Sequence, residues 1–252
     1  ELGVTEDEYL KWFEQIGEMH ANTIRVYTVM MPAFYDALYQ YNTTHDEKLY
    51  LFQGCWYNED LLSETQDAFS DIQDVEKDLK DLVDIIHGKA QVKQRTGHAY
   101  GEYTKDVSSY VIGWILGIES DQNLVEGTCY ANPDVTPYTG KYLSCEQEEP
   151  YEVFWCEIGD YVLDYEDENY HMQRPVSYSN WPTADVMSHP NEPLEKEDAV
   201  SLTVDDLTAQ SEFKPGIFAS YHVYSYYPNF MFWEEPYCSY KDEEGNIDTY
   251  LG

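Results

Sequence analysis

Positive charge is scarce in this chain. Fourteen lysines and arginines stand against 49 aspartates and glutamates, a formal net charge of −35 over 252 residues. Repulsion on this scale opposes nucleic acid and anionic membrane surfaces and favours neutral or cationic partners. A solvated, soluble surface accounts for the same acidity. Cysteine is sparse as well: Cys55, Cys129, Cys145, Cys156 and Cys238 are an odd number at irregular gaps with no Cys-x-x-Cys pair. That argues against a disulfide scaffold or a zinc knuckle. No apolar stretch approaches the roughly 18 to 20 residues that cross a bilayer, so no membrane span is expected, and no signal peptide is visible. The chain opens on Glu1 rather than methionine, which leaves a removed targeting segment, and hence the compartment, open. Gly-x-Gly-x-x-Gly, Walker, Gly-x-Ser-x-Gly and His-Glu-x-x-His patterns are missing too, and no cofactor is expected. The acid clusters Asp164 to Glu168 and Asp242 to Glu244 lack the spacing of a calcium loop, and no metal site is expected from them. Asn42-Thr43-Thr44 is a glycosylation sequon in form only.

What the chain does have is alternation of helical and strand periodicity. Thr5 precedes Asp7, Glu8 and an apolar series, Tyr9, Leu10, Trp12, Phe13, Ile16 and Met19, which predicts a capped amphipathic helix. Asn22 to Met30 reads as a strand broken by Pro32, Ala33 to Tyr41 as a short helix and Leu49 to Trp56 as a second strand. A long helix is predicted from Ala68 to His87, with Phe69, Ile72, Val75, Leu79, Leu82, Val83 and Ile86 on one face and Gly88 as its stop. Tyr110 to Glu119 is the third strand, Tyr151 to Tyr165 a helix, Pro175 to Trp181 the fourth strand and Val204 to Ser211 a helix fragment. Gly216 to Tyr224 is the fifth strand.

The segment Tyr-Val-Ile-Gly-Trp-Ile-Leu-Gly-Ile-Glu at 110–119 carries the most information. It is apolar at both parities and ends on an acid, as suits a strand buried on both faces of a helix-covered parallel sheet. Helices alternating with such strands imply βα units, because parallel neighbours need crossover connections. The fold class expected is α/β of the (β/α)8 TIM-barrel type, one domain over 1–252. About five strands are visible where a closed barrel needs eight, and the segment Pro236 to Gly252 is acidic and turn-like, ending as if a helix were cut short. The barrel is therefore expected to be incomplete in this chain. Catalytic groups of such barrels sit at the C-terminal ends of the strands, which singles out Glu119.

The segments Ala-Asn-Thr-Ile-Arg-Val-Tyr at 21–27, Gly-Trp-Ile-Leu-Gly-Ile-Glu at 113–119 and Tyr-His-Val-Tyr at 221–224 resemble the second, fourth and sixth strands of (β/α)8-barrel glycoside hydrolases. The clan is that of retaining cellulases, β-galactosidases and β-glucanosyltransferases. The resemblance implies roles for four residues: Glu119 as general acid/base, Arg25 orienting the nucleophile, and His222 and Tyr224 steering hydroxyls or the nucleophile by hydrogen bonds. It implies that strands one, seven and eight, with the nucleophilic Glu, lie outside this sequence, so the fragment alone should be inactive. It leans to an extracellular or cell-surface address. One departure is Ile118, where the clan carries an Asn whose amide contacts the sugar.

Retaining chemistry needs two carboxyl groups about 5 to 5.5 Å apart, one protonating the glycosidic oxygen and one attacking the anomeric carbon. Aromatic residues, 16% of the chain, supply the substrate-binding expectation. Trp56, Trp181, Tyr224, Tyr226, Tyr227 and Trp233 fall at or just after predicted strand ends, where flat rings stack on sugar faces, and Tyr27 is a further substrate-binding candidate. Polar residues at the same level, Asn58, His98, Asn180, Thr183 and Asp185, can read hydroxyls. Asn191-Glu192-Pro193 spells a cellulase-type acid/base signature, but it sits in a polar loop that no buried strand delivers. The expected partner is an oligo- or polysaccharide, and the expected activity is hydrolysis or transfer of β-linked glycosides. The competing reading is a non-catalytic carbohydrate-binding or scaffold protein. Oligomeric state is not readable from the sequence.

Overall fold

A computed structural model describes residues 3–146, 149–187, 199–224, 239 and 241–246. Its first helix, α1 (Glu6–Glu18), starts where the sequence places it. The Thr5 hydroxyl accepts from the Glu8 backbone N–H while the Glu8 carboxylate accepts from the Thr5 N–H, a reciprocal cap. Strand β1 (Thr23–Val26) follows, then α2 (Pro32–Thr44) and β2 (Tyr50–Cys55). Pro32 does not merely break the preceding strand. It opens α2 from the first turn, where its missing N–H has no intrahelical partner to lose.

After β2 come α3 (Glu59–Thr65), a 3₁₀ turn (Ala68–Asp71) and α4 (Ile72–Ile86), so the single long helix expected from Ala68 is a 3₁₀ turn running into an α-helix. Gly88 ends it at φ +66°, a conformation that strains any residue with a Cβ. An antiparallel hairpin, β3 (Ala90–Val92) and β4 (Gly101–Tyr103), then intervenes before β5 (Val111–Leu116). The chain continues through α5 (Gln122–Ala131), β6 (Tyr138–Thr139), β7 (Leu143–Cys145), α6 (Pro150–Tyr170), β8 (Val176–Tyr178) and β9 (Leu207–Ala209). The helix fragment expected at 204–211 is instead a 3₁₀ turn over Val204–Asp206 leading into β9. There Leu207 and Ala209 pair with β7, and cross-strand pairing overrides the helical reading of so short a segment.

The main sheet is parallel, in the order β1-β2-β5-β8, with Ile217 adding a parallel bridge to Val176 on the far edge. Spatial order follows chain order with no reversal. That differs from doubly wound sheets, whose strand order turns back on itself. The expected strand at 216–224 is represented among the described residues by this bridge and its flanking backbone bonds, Val176 N–H to Gly216 O and Phe218 N–H to Val176 O. A second, antiparallel sheet, β6-β7-β9, and the β3-β4 hairpin have no counterpart in the sequence reading. Among the described residues no barrel is closed.

The sheet curls strongly. Neighbouring strands lie about 4.8 Å apart, so four interstrand steps would separate the β1 end from the 217–222 segment by roughly 19 Å in a flat sheet. Tyr27 and His222 nevertheless meet edge to face with ring centres 5.6 Å apart. Phe52 of β2 likewise meets Phe218 at 5.5 Å. Side-chain alternation assigns the two faces. Trp114 and Tyr178 point to α6, where they bond the Glu166 carboxylate and the Trp155 carbonyl. Their neighbours Gly113, Ile115 and Ser177, in register with Phe52 and Arg25, line the concave face. Gly113 leaves room there for the Phe52 ring, since a Cβ at that position would lie 2.9 Å from it. The convex face is dry: Leu51, Trp114, Leu116, Val176, Leu79, Leu82, Phe154 and Ile158 are all fully buried.

Candidate functional site

Glu119 is three residues beyond β5 rather than at its last position. Gly117, at φ +94°, lets the chain leave the sheet, and Ile118 and Ser120 on either side are both 1% exposed. Ser120 is tied to the Tyr151 hydroxyl, and the Asp121 carboxylate caps α5 through the Asn123 and Leu124 N–H groups at 2.9 and 3.0 Å. Two buried anchors thus hold the backbone still while the Glu119 side chain projects, 26% exposed, between them.

The partner of Glu119 is His222, whose Nδ1 is hydrogen-bonded to Oε1. His222 is itself fixed by its backbone N–H, which donates to Asn180 Oδ1 at 2.7 Å. Arg25, at the end of β1, donates from Nη2 to Ser179 Oγ at 3.0 Å and lies 4.6 Å over the Tyr27 ring. Burial lowers the Arg25 pKa, opposed by the charges of Tyr27 and then Glu119. Even lowered, a guanidinium stays cationic at physiological pH. Arg25 thus acts on Glu119 as a neighbouring charge, with its own hydrogen bond given to Ser179.

Tyr27 and Trp56 form the wall of the site, edge to face at 5.9 Å. Together with Thr28 and Glu119 they line a cleft of about 310 Å³. The close fit behind it depends on Gly54, because a Cβ there would lie 2.3 Å from the Tyr27 carbonyl. Gln53, fully buried, secures the same loop by donating to Thr28 O at 3.1 Å while accepting from the Tyr35 hydroxyl.

Arg25, Tyr27, Trp56, Glu119, Asn180 and His222, predicted from the sequence, are therefore brought together. His98 is not in this cleft; it lies in the loop between β3 and β4 and lines an adjoining groove. Burial, and after it the Arg95 charge, lowers its pKa, which favours the neutral ring. Trp181 and Tyr224 pack against each other at 5.9 Å. Asp185 accepts from the Met187 N–H at 2.7 Å, a turn-forming role. Tyr226, Tyr227, Trp233 and the Asn191-Glu192-Pro193 segment lie outside the described residues. Ser179 and Thr28 were missed by the sequence reading. Ser179 shares the parity of Ser177 on the concave face, which is the signal that could have found it.

Buried polar atoms that lack a partner gather around this site. Among the described residues Arg25 Nε, Asn180 Nδ2, His222 Nε2 and Ser177 Oγ are shielded from solvent with no hydrogen bond. Folded proteins seldom leave such groups unmet, because each costs about 1–3 kcal/mol. Among the described residues no cluster of three or more His, Cys, Asp or Glu side chains could hold a metal ion, and no helix is long and apolar enough to cross a membrane. Cys55, Cys145 and Cys156 lie buried in the core, and Cys129 is half-buried against Glu149. Compared with known proteins, the chain matches no family model, no curated protein and no solved structure.

Proposed function

We propose that the chain is the greater part of a (β/α)8-type glycoside hydrolase or transglycosidase acting on β-linked glycans, with Glu119 as general acid/base. The observation that carries this reading is the meeting of one cleft-facing carboxylate, an imidazole, a guanidinium and two aromatic rings at the C-terminal ends of successive strands of a curled parallel sheet. Sequential strand order and strong curvature are what an arc of such a barrel requires. The two rings of Tyr27 and Trp56 beside Glu119 in the cleft support a sugar ligand in particular, because flat rings stack on sugar faces.

In this reading His222 orients Glu119 through the Nδ1–Oε1 hydrogen bond; Glu119 gives a proton to the glycosidic oxygen, and the carboxylate that remains next activates water. Arg25 adds a fixed positive charge beside the reacting centre. Asn180, held through His222, supplies an amide close to where Ile118 offers none. Among the described residues the cleft contains a single carboxylate, Glu119. The second carboxylate that retention demands is placed outside the described residues.

In the full-length protein, Glu119→Gln should lower turnover of an uncharged β-linked oligosaccharide about 10²–10⁴-fold, the usual contribution of a general acid/base. Turnover within a few-fold of wild type would remove Glu119 from the mechanism. A wild type that binds oligosaccharides without cleaving them would favour a carbohydrate-binding scaffold, for which the buried apolar Ile118 before Glu119 speaks.

A further inference from the structure

Beside the Glu119 cleft runs a second, larger depression of about 1230 Å³. Its walls come from the loop after β1, from the β2 end, from α3 and α4, and from the 94–100 turn of the β3-β4 hairpin. Thr28 and Trp56 line both spaces, so the two are neighbours across a single indole. That indole is oriented: its Nε1 donates to the Glu59 carboxylate at 3.1 Å. Small-ligand sites occupy about 300–1,000 Å³, so the cleft suits one compact group while the groove exceeds what a single small molecule fills.

The electrostatics of the groove are one-sided. Asp78 is neutralised by Arg95 and Asp81 by Lys77 at 3.2 Å, while Glu59 and Glu64 make no ion pair among the described residues. Among the described residues Arg95 is the lone Lys or Arg on the groove wall, and it is already engaged. An anionic chain would meet uncompensated negative charge there with no spare cation to receive it. Asn58, Gln94, Thr96 and His98 bring hydrogen-bonding groups to the wall, set beside the Trp56 and Tyr100 rings. Rings interleaved with neutral polar groups fit a hydroxyl-rich chain.

Building on the glycosidase reading, we propose that this groove binds the continuation of the glycan, so that the substrate is an uncharged oligo- or polysaccharide of several units, engaged along its length rather than by a terminal sugar alone. Trp56 is the junction ring between the unit at Glu119 and the units beyond it. The hairpin inserted before β5 exists, in this account, to build the outer wall.

The test is calorimetric titration of the intact protein with uncharged β-linked gluco-, galacto- and manno-oligosaccharides of two, four and six units, alongside matched uronate oligomers. In at least one uncharged series affinity should rise about tenfold or more from two to six units, as successive rings stack, and the uronates should bind at least about tenfold more weakly. His98→Ala should erase the gain between four and six units. Length-independent affinity, equal binding of uronates, or no binding in any series would overturn the proposal. Cleavage separates this from the underlying reading. Length dependence without hydrolysis keeps the groove and rejects the enzyme, whereas hydrolysis without length dependence does the reverse.

Discussion

Two glutamates in this molecule are each bonded to a histidine, and their surroundings could hardly differ more. Glu166, on α6, is wholly inaccessible and saturated. His87 Nε2 bonds it at 3.0 Å, the Arg174 Nε reaches both carboxylate oxygens at 2.9 and 3.0 Å, and Trp114 Nε1 donates at 3.2 Å. Arg174 also binds the Ser108 and Val111 carbonyls, tying the N-terminal start of β5 to the turn before β8. Glu119, past the opposite end of β5, has the His222 bond and faces a cleft. A carboxylate with every lone pair used holds the fold together. One with capacity to spare at the strand ends is free for chemistry.

The largest effect expected from breaking this contrast is on stability. Glu166→Ala leaves the Arg174 charge buried without its partner, and should cost about 3–5 kcal/mol in denaturant unfolding. Glu119→Ala should change stability by less than about 1 kcal/mol, because a partly exposed side chain with one hydrogen bond contributes little. Equal losses at the two sites would abolish the distinction drawn here.

Acid should sharpen the comparison further. Burial alone would raise the Glu166 pKa, yet the His87 and Arg174 hydrogen bonds and the Arg174 charge outweigh it and the net shift is downward. Its stabilisation is therefore complete above the ordinary carboxylate range and is lost as pH falls below it. Glu152, also on α6, goes the other way. Burial first, and then Asp206 and Glu149 against the opposing Thr203 N–H bond, push it to about 8. Between about pH 4.5 and 8 the unfolded chain sheds a proton that the folded chain keeps, so this residue lowers stability as pH rises. Glu152→Gln retains an oxygen for the Thr203 N–H, and should raise the melting temperature at pH 8 by about 2–4 °C while leaving pH 4 unchanged. An identical shift at both pH values would refute the assignment.

The smallest effect belongs to the surface. Lys141 and Asp164 pair at 2.6 Å with both side chains well exposed. Water and salt screen such a pair, so Lys141→Ala should move the melting temperature by no more than about 2 °C and leave it unmoved in high salt. A larger shift that persists in salt would mean that this pair belongs with Glu166.

Much of this molecule was legible in its sequence. The reciprocal Thr5–Glu8 cap, the amphipathic α4 and the buried β5 all announce themselves by residue type and spacing, because each depends on local chemistry. Glu119 could be picked out too, because it follows directly on the most apolar segment of the chain. The hairpin and the antiparallel sheet were not legible, because three-residue strands such as β3 and β9 carry no period and are fixed by their partners. Nor could spacing show that Ser179, 154 residues away, would hold Arg25. That contact exists only because the sheet curls, and curvature is a property of the assembled strands.

The most direct test of the central claim is a crystal structure of the intact protein, with Glu119→Gln to prevent turnover, bound to an uncharged β-linked oligosaccharide. A glycosidic oxygen about 3 Å from the substituted side chain, with sugar rings against Tyr27 and Trp56 and hydroxyls on Asn180 and His222, is the predicted result. A glycan bound on another face, with position 119 still enclosed by protein groups alone, would contradict it.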